Sequence, residues 1–564
     1  MTVEFGILIV SLLFFVSIFS DKLGSKYGVP ALLLFLIVGM LFGEEGFSKW
    51  LHLGSYMQIS VDGAQVWGTV ALCVILFSGG LDTSINDIRP VAGPGVTLAT
   101  VGVFITALVT GTIIYFVFGW IHAVGVVTFA TALLMASTMS STDSASVFSI
   151  MRTNGISLKH NLRPLLELES GANDPMAYVL TITLIGIVTA TGATHVSALS
   201  IFQTILVQLI VGGVLGFAFG KIAVYLLRKV QLQNESLYPI MIFTFCLFSF
   251  AATYFLKGNG YLAVYISGLV IGNTKFARKR QTKTFFDGFT WLLQLTLFLV
   301  LGLMVKPSSF LQLKVWLPCL IISIVTIFIS RPLAVWLSLL PFGQQFKNVD
   351  KILISWVGLK GAVPIIFAIL CKASGVPNAD LIFNVVFLCT IVSLLVQGTS
   401  LSKMAFSLHL ATPNPPQKRL QYFDIDLPDE IQSTATEVVL TEKMLVNGNQ
   451  LKDLKFATKA LVIMVRRGED FFVPAGTSVL NVGDQLLVIT DRDARAAQKQ
   501  MEEEEEFDLT QWGNEIMEHF HNKMEQRSER YRQMKEKMEA ERKAFKQKIQ
   551  NQKNKINSHP AMHK

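Results

Sequence analysis

Charge is scarce in this chain of 564 residues: Asp, Glu, Lys and Arg make up 16% of it, against 51% hydrophobic residues and a mean hydropathy of +0.50. That balance excludes an ordinary soluble globular domain. Cysteine is nearly absent, and Cys73, Cys246, Cys319, Cys371 and Cys389 all fall inside apolar runs with no paired spacing, so neither a disulfide framework nor a cysteine metal site is written in them. The apolar runs hold no His or Cys metal cluster and no Ser/His/Asp grouping, and no phosphate-cradling glycine motif is present. A membrane enzyme and an attached ATPase therefore have no basis. A cation channel gated by a soluble domain is the alternative to a transporter, but it needs a filter of backbone carbonyls such as a Thr-Val-Gly-Tyr-Gly loop, and none occurs. The formal charge of +8 is spread over short connections rather than gathered on one folded unit, which argues against nucleic acid as a partner.

What the chain has in abundance is apolar runs of about 15 to 28 residues between Phe5 and Ser402, close to the roughly 20 residues a helix needs to cross a bilayer core. Glu4 is the only charge before the first run, which reads as a span rather than a cleaved signal. Thirteen spans are expected, beginning near Phe5, Pro30, Gln65, Gly93, Ala123, Asn161, Leu199, Leu237, Tyr261, Phe286, Val315, Lys351 and Leu381. Alternate connections differ in basic content: one set holds fifteen Lys and Arg, among them Lys22, Arg89, Lys159, Arg163, Arg278 and Lys351, and the other holds five. Basic connections stay cytoplasmic, so this pattern predicts an external N-terminus, a cytoplasmic C-terminal region and residence in the cell (inner) membrane.

A polar, proline-bearing stretch from Thr412 to Pro428 leads into strand-like runs at Glu437 to Leu440, Ala460 to Val465, Phe471 to Val473 and Gln485 to Ile489. The expected division is a transmembrane domain at 1–408, a linker at 409–430, a small α/β cytoplasmic domain at 431–496 and a charged helical tail at 497–564. The tail reads either as a partial coiled coil, with apolar residues such as Met517, Phe520, Met524 and Tyr531 at suitable spacing, or as a solvated charged helix.

Ionisable groups inside spans are costly unless paired or hydrated, which makes them the most informative residues of a membrane sequence. Asp143, Glu169, Asp174, Arg331 and Lys360 lie within apolar runs. Three carboxylates against two cations leave one without a countercharge, as an exchanger requires of a site neutralised in turn by a proton or a cation. Asp174 is the expected site. Ser170 lies four residues before it on the same helix face, so hydroxyl and carboxylate oxygens can approach one hard cation together, and Asn173 supplies an amide next to it.

Two spans read as interrupted. The fifth carries Ser137-Thr138-Met139-Ser140-Ser141-Thr142-Asp143, too rich in hydroxyls for a lipid-facing helix, and the twelfth carries Gly358-Leu359-Lys360-Gly361-Ala362-Val363-Pro364. Seven spans apart, they cross in opposite directions, as equivalent members of inverted repeats do, with opposed helix ends meeting at midplane. Lys360 and Asp143 are placed to neutralise those ends, the cation facing carbonyls and the anion facing amides.

Through Thr142-Asp143, Glu169-Ser170, Asn173-Asp174, Arg331 and the Gly-Leu-Lys-Gly-Ala-Val-Pro run, roughly the first 400 residues resemble the monovalent cation:proton antiporters, in the Asn-Asp branch related to NhaP-type and eukaryotic sodium/proton exchangers. The resemblance implies a homodimer, a core domain moving like an elevator, and electroneutral exchange of K+ or Na+ for H+ with no cofactor. It implies an alkali cation at Asp174, Thr142 and Ser170, with Asp143 and Asn173 beside them, and a structural ion pair of Glu169 with Arg331. Lys360 stands where many relatives have arginine, and Ser78 stands where several have an acidic residue before Gly79-Gly80-Leu81. Residues Glu437 to Thr490 resemble the TrkA-C regulatory domain of potassium transporters and channels, on Val462 to Gly468, Val473-Pro474-Ala475-Gly476 and Gly483-Asp484-Gln485-Leu486. That resemblance implies a small-molecule or nucleotide regulator and puts potassium ahead of sodium.

Overall fold

The computed structural model describes residues 3–27, 30–46, 59–121, 127–153, 156–190, 197–230, 232–276, 278–310, 313–343, 345–413, 435–440, 445, 448–454, 460–468 and 470–490. The expected tail at 497–564 and most of the expected linker lie outside them. Two compact units divide the chain, residues 1–416 and 417–564.

The first unit is helical: α1 (Val3–Tyr27), α2 (Ala31–Phe42), α3 (Val61–Asp82), α4 (Ile85–Trp120), α5 (Phe129–Thr138), α6 (Ser144–Thr153), α7 (Leu162–Thr189), α8 (Ala198–Lys229), α9 (Leu237–Phe255), α10 (Gly260–Gly272), α11 (Lys279–Leu303), α12 (Trp316–Ser338), α13 (Asn348–Trp356), α14 (Val363–Ala373) and α15 (Ala379–Ser407). Among the described residues, eight of these are long and apolar enough to cross a membrane, namely α3, α4, α7, α8, α9, α11, α12 and α15. Another five apolar helical stretches, of 10–17 residues, are shorter: Glu4–Ser20 within α1, and α2, α5, α10 and α14.

The burial pattern is that of a protein solvated by lipid. On α8, Phe202, Leu206, Ile210, Val214 and Phe217 form an exposed apolar stripe, the reverse of a soluble helix. Its other face carries Gly212, Gly216 and Gly220, where a Cβ would meet Asn259, Ala263 and Val270 on and just before α10. Small residues allow this close backbone approach where no hydrophobic gain separates helix from lipid.

Two helices stop and restart inside the unit. Residues 139–143 separate α5 from α6, and 357–362 separate α13 from α14. Hydroxyl density and the Gly–Pro run mark both places in the sequence. A connection not visible in the sequence pattern is the two-stranded ribbon of β1 (Ile156–Leu158) with β2 (Ala411–Pro413), which holds the segment after α15 against the loop entering α7. Residues 411–413, placed by the sequence reading in a linker, thus pair inside the first unit; such long-range pairing leaves no local periodicity.

The second unit is built on an antiparallel sheet in the order β3 (Ala435–Val439), β6 (Gln485–Thr490), β4 (Ala460–Arg467), β5 (Asp470–Phe472). Val462, Val465, Leu480, Leu486 and Val488 fill its core. The sequence reading expected α/β; the described residues carry the strands and, as regular helix, only the short 3-10 turn Leu451–Asp453. In the tight turn before β6, Gly483 takes φ +91°, open to glycine without strain, and Asp484 follows it.

Candidate ion site

Breaking a helix inside an apolar interior orphans backbone groups, and each must find a partner. The two interruptions supply part of this themselves, since the Asp143 amide donates to the Leu359 carbonyl at 2.8 Å. That contact needs Gly361, because a Cβ there would collide with the Asp143 carboxylate. Side chains complete the set. Asp143 accepts from the Ser146 amide at 3.0 Å and from the Ser146 hydroxyl, at the N-terminal end of α6. The Lys360 ammonium donates to the Ser141 carbonyl at 3.0 Å. Cation faces carbonyl and anion faces amide, and the two do not bond to each other.

Four further residues hold the breaks. The Ser170 hydroxyl donates to the Thr142 carbonyl at 2.8 Å and accepts from the Ser144 amide at 3.0 Å, so one side chain serves both loose ends of the first break. Asn173 Nδ2 donates to Thr142 Oγ1 at 2.6 Å. On the other break, Ser393 Oγ accepts from the Lys360 amide at 2.9 Å, and Gln397 Nε2 donates to the Trp356 carbonyl at 2.9 Å. Ser393 and Gln397 escaped the sequence reading, because polar residues four apart on an apolar helix carry no mark of which distant backbone they cap.

Glu169 and Arg331, 1% and 4% exposed, meet with Nη1 2.6 Å from Oε1. Asp174 is also buried, and its Oδ1 has no hydrogen-bond partner among the described residues. The same holds for Asn173 Oδ1 and Ser141 Oγ. Asp143, Ser141 and Lys360 are near enough to act on the Asp174 carboxylate electrostatically, although the Ser141 hydroxyl meets it in no hydrogen-bond geometry. Uncommitted oxygens from carboxylate, amide and hydroxyl are the donor set for a hard, weakly demanding cation. Thr142 and Ser170, expected beside the ion, are engaged with the breaks, each keeping lone-pair capacity. Among the described residues no group of three or more His, Cys, Asp or Glu could hold a metal ion.

A third residue, Asn259, escaped the sequence reading as well. Asn259 caps α10 by accepting from the Leu262 amide at 3.1 Å, and its Nδ2 donates to the carbonyl of Pro175 at 2.8 Å, one residue beyond Asp174. Its place between Gly258 and Gly260 is the only hint, as an N-cap preference.

Comparison with known proteins agrees with this architecture. The family described as sodium/hydrogen exchanger, transmembrane, matches residues 9–407, and the TrkA-C domain matches 435–501. The chain is 38% identical over 491 residues to a K+/H+ antiporter, NhaP, of Alkalimonas amylolytica, covering 86% of this chain and 81% of that protein. It is 36% identical over 484 residues to the K+/H+ antiporter NhaP2 of Shewanella oneidensis, covering 86% and 80%. The solved structure of a sodium proton antiporter from Methanocaldococcus jannaschii superposes with a TM-score of 0.59 at 21% identity, over 71% of this chain and all of that one. The chain belongs to the sodium/hydrogen exchanger family and carries a TrkA-C domain after its membrane unit.

Proposed function

We propose that this protein exchanges K+ for H+ across the cell (inner) membrane, one for one, with Asp174 as the carboxylate that cation and proton occupy in turn. The observation that carries the proposal is the buried, uncommitted Asp174 Oδ1, with the Oδ1 of the preceding residue Asn173 also uncommitted, while Glu169 is matched by Arg331 and Lys360 serves a helix end. A carboxylate in that position has to be neutralised before its surroundings can change, and either positive species suffices. Potassium is favoured over sodium by the names of the relatives at 36–38% identity and by the TrkA-C domain.

On this reading the membrane has thirteen crossings, the five shorter apolar helices included, with the two broken elements as equivalent members of inverted repeats. The N-terminus is external and the TrkA-C-like domain cytoplasmic, where it takes a small regulator. Residues 1–408 transport, 409–430 link, 431–496 regulate and 497–564 form the tail. The protein works as a homodimer by alternating access. Asp143, Thr142 and Ser170 shape the site, while Glu169, Arg331 and Lys360 maintain it.

Proteoliposomes with an internal pH dye test the proposal. Adding external K+ should alkalinise the lumen of vesicles preloaded acidic, with a smaller response to Na+ or Li+ and none altered by an imposed membrane potential. Asp174→Asn should reduce the response at least a hundredfold. Flux that survives this substitution and follows voltage would overturn the assignment in favour of a channel.

A further inference from the structure

Tyr265, on α10, carries a hydroxyl with no hydrogen-bond partner. The residue is 3% exposed, and among the described residues no other tyrosine oxygen is buried in that condition. Thr83 lies near it but meets it in no hydrogen-bond geometry, and the Thr83 hydroxyl gives its proton to the Gly79 carbonyl at 2.7 Å. A buried serine or threonine can turn toward a carbonyl one turn back on its own helix. A phenol oxygen stands too far from its own backbone for that, so the unmade bond is a cost that phenylalanine would avoid.

What the hydroxyl faces is α7. A Cβ built on Gly171 would run into the Tyr265 ring and lie 2.8 Å from its oxygen, so the phenol rests in the notch that Gly171 leaves. Gly171 stands three residues before Asp174 and four after Glu167, and the three share one face of the helix. Glu167 is near enough to act on the Tyr265 hydroxyl electrostatically, and Tyr261, one turn earlier on α10, is likewise near Asp174. The two helices therefore run antiparallel along this face, with Asn259 at Pro175, Tyr261 at Tyr178 and Tyr265 at Gly171.

Exposure is graded along the same face. The Glu167 side chain is 25% exposed, Gly171 is half-buried and Asp174 is 6% exposed. Past Asp174 the buried rings of Tyr178 and Tyr261 close the seam. The open side of Asp174 is thus the Gly171 side, and Tyr265 stands on it with an uncommitted neutral oxygen, a ligand suited to a hard cation. We infer that the Tyr265 hydroxyl is a positioning group for the transported cation, which takes this oxygen as a ligand between Asp174 and the Glu167 end of α7. The inference rests on the reading of Asp174 as the exchanging carboxylate and adds a second residue to that site.

Tyr265→Phe removes the oxygen and keeps the ring in the notch. In proteoliposomes of the full chain with an internal pH dye, it should raise the half-saturating K+ concentration about fivefold, the effect of one lost hydroxyl contact, with the maximal rate and the thermal midpoint little changed. An unshifted half-saturation overturns the inference. A fall in maximal rate alone also overturns it, because the hydroxyl would then act on the movement of α7 against α10 rather than on the cation. Gly171→Ala, which pushes the phenol aside, should raise the half-saturating concentration in the wild type and add no further shift in Tyr265→Phe; Tyr265→Phe decides the matter where Gly171→Ala fails to fold. Exchange that survives Asp174→Asn would overturn the carboxylate reading beneath it, whereas loss of exchange in Asp174→Asn beside an unshifted Tyr265→Phe overturns this inference alone.

Discussion

Arg331 and Glu169 illustrate what a buried pair contributes. Exposed at 4% and 1% and in contact at 2.6 Å, they are individually unsupportable in an apolar interior. Removing one partner strands the other, a loss of about 3–5 kcal/mol. Glu169→Ala and Arg331→Ala should each lower the thermal midpoint of the purified protein strongly, and the double variant should lose clearly less than their sum. Additive losses would show that the two do not act as a pair. Gly361 makes a different point at the same scale. A methyl group there lands on the Asp143 carboxylate, which holds the amide end of α6. Gly361→Ala should insert and purify normally yet lose most exchange activity in proteoliposomes, because the breaks can no longer meet.

At the scale of elements, the seam between α7 and α10 governs where Asp174 sits. Asn259 spans it with one side chain, capping α10 and holding the Pro175 carbonyl. Tyr178 on α7 meets Tyr261 on α10 edge to face, ring centroids 4.8 Å apart. Asn259→Ala removes a cap worth about 1 kcal/mol together with the bond to α7. The expected result is a several-fold change in maximal exchange rate with the half-saturating K+ concentration nearly unaltered, since Asn259 touches no uncommitted oxygen of the site. An equal change in both would place Asn259 in cation binding. Much at this scale was legible in the sequence. Ionisable residues in apolar runs stand out by rarity, and hydroxyl-rich or Gly–Pro segments cannot continue a lipid-facing helix, so the burial of Asp174 and Lys360 and the two interruptions could be read directly. The partners that hold the breaks could not. Ser393, Gln397 and Asn259 are ordinary helix or cap residues until the chain brings a distant carbonyl or amide to them, and the pairing of Ile156–Leu158 with Ala411–Pro413 joins segments some 250 residues apart with no periodic signature.

The molecule as a whole combines a lipid-solvated unit, whose buried charges are few and are paired or set against helix ends with Asp174 the exception, with a second unit where ordinary aqueous electrostatics applies. Arg467 and Asp484 meet there through two bonds, Nε to Oδ1 at 2.9 Å and Nη2 to Oδ2 at 2.6 Å, and the Asn481 amide adds a third at 2.8 Å. Burial pushes the Asp484 carboxyl up, but the bonds from Arg467 and Asn481 outweigh it and hold the group below the usual carboxylate range. A depressed folded value means the unfolded chain binds the proton more readily, so this contribution is fully present above the unfolded value of about 3.9. It falls away as pH drops through the lower, folded value. Arg467 is partly exposed, and salt screens its share. Asp484→Asn removes the charge while keeping a similar shape, and should flatten this acid dependence. Hydrogen exchange over residues 460–490 of the full chain, compared at pH 6 and pH 3.5, should show protection that declines in the wild type and is already lower, with little further decline, in the variant. Equal declines in both proteins would remove Asp484 as the source of the acid dependence.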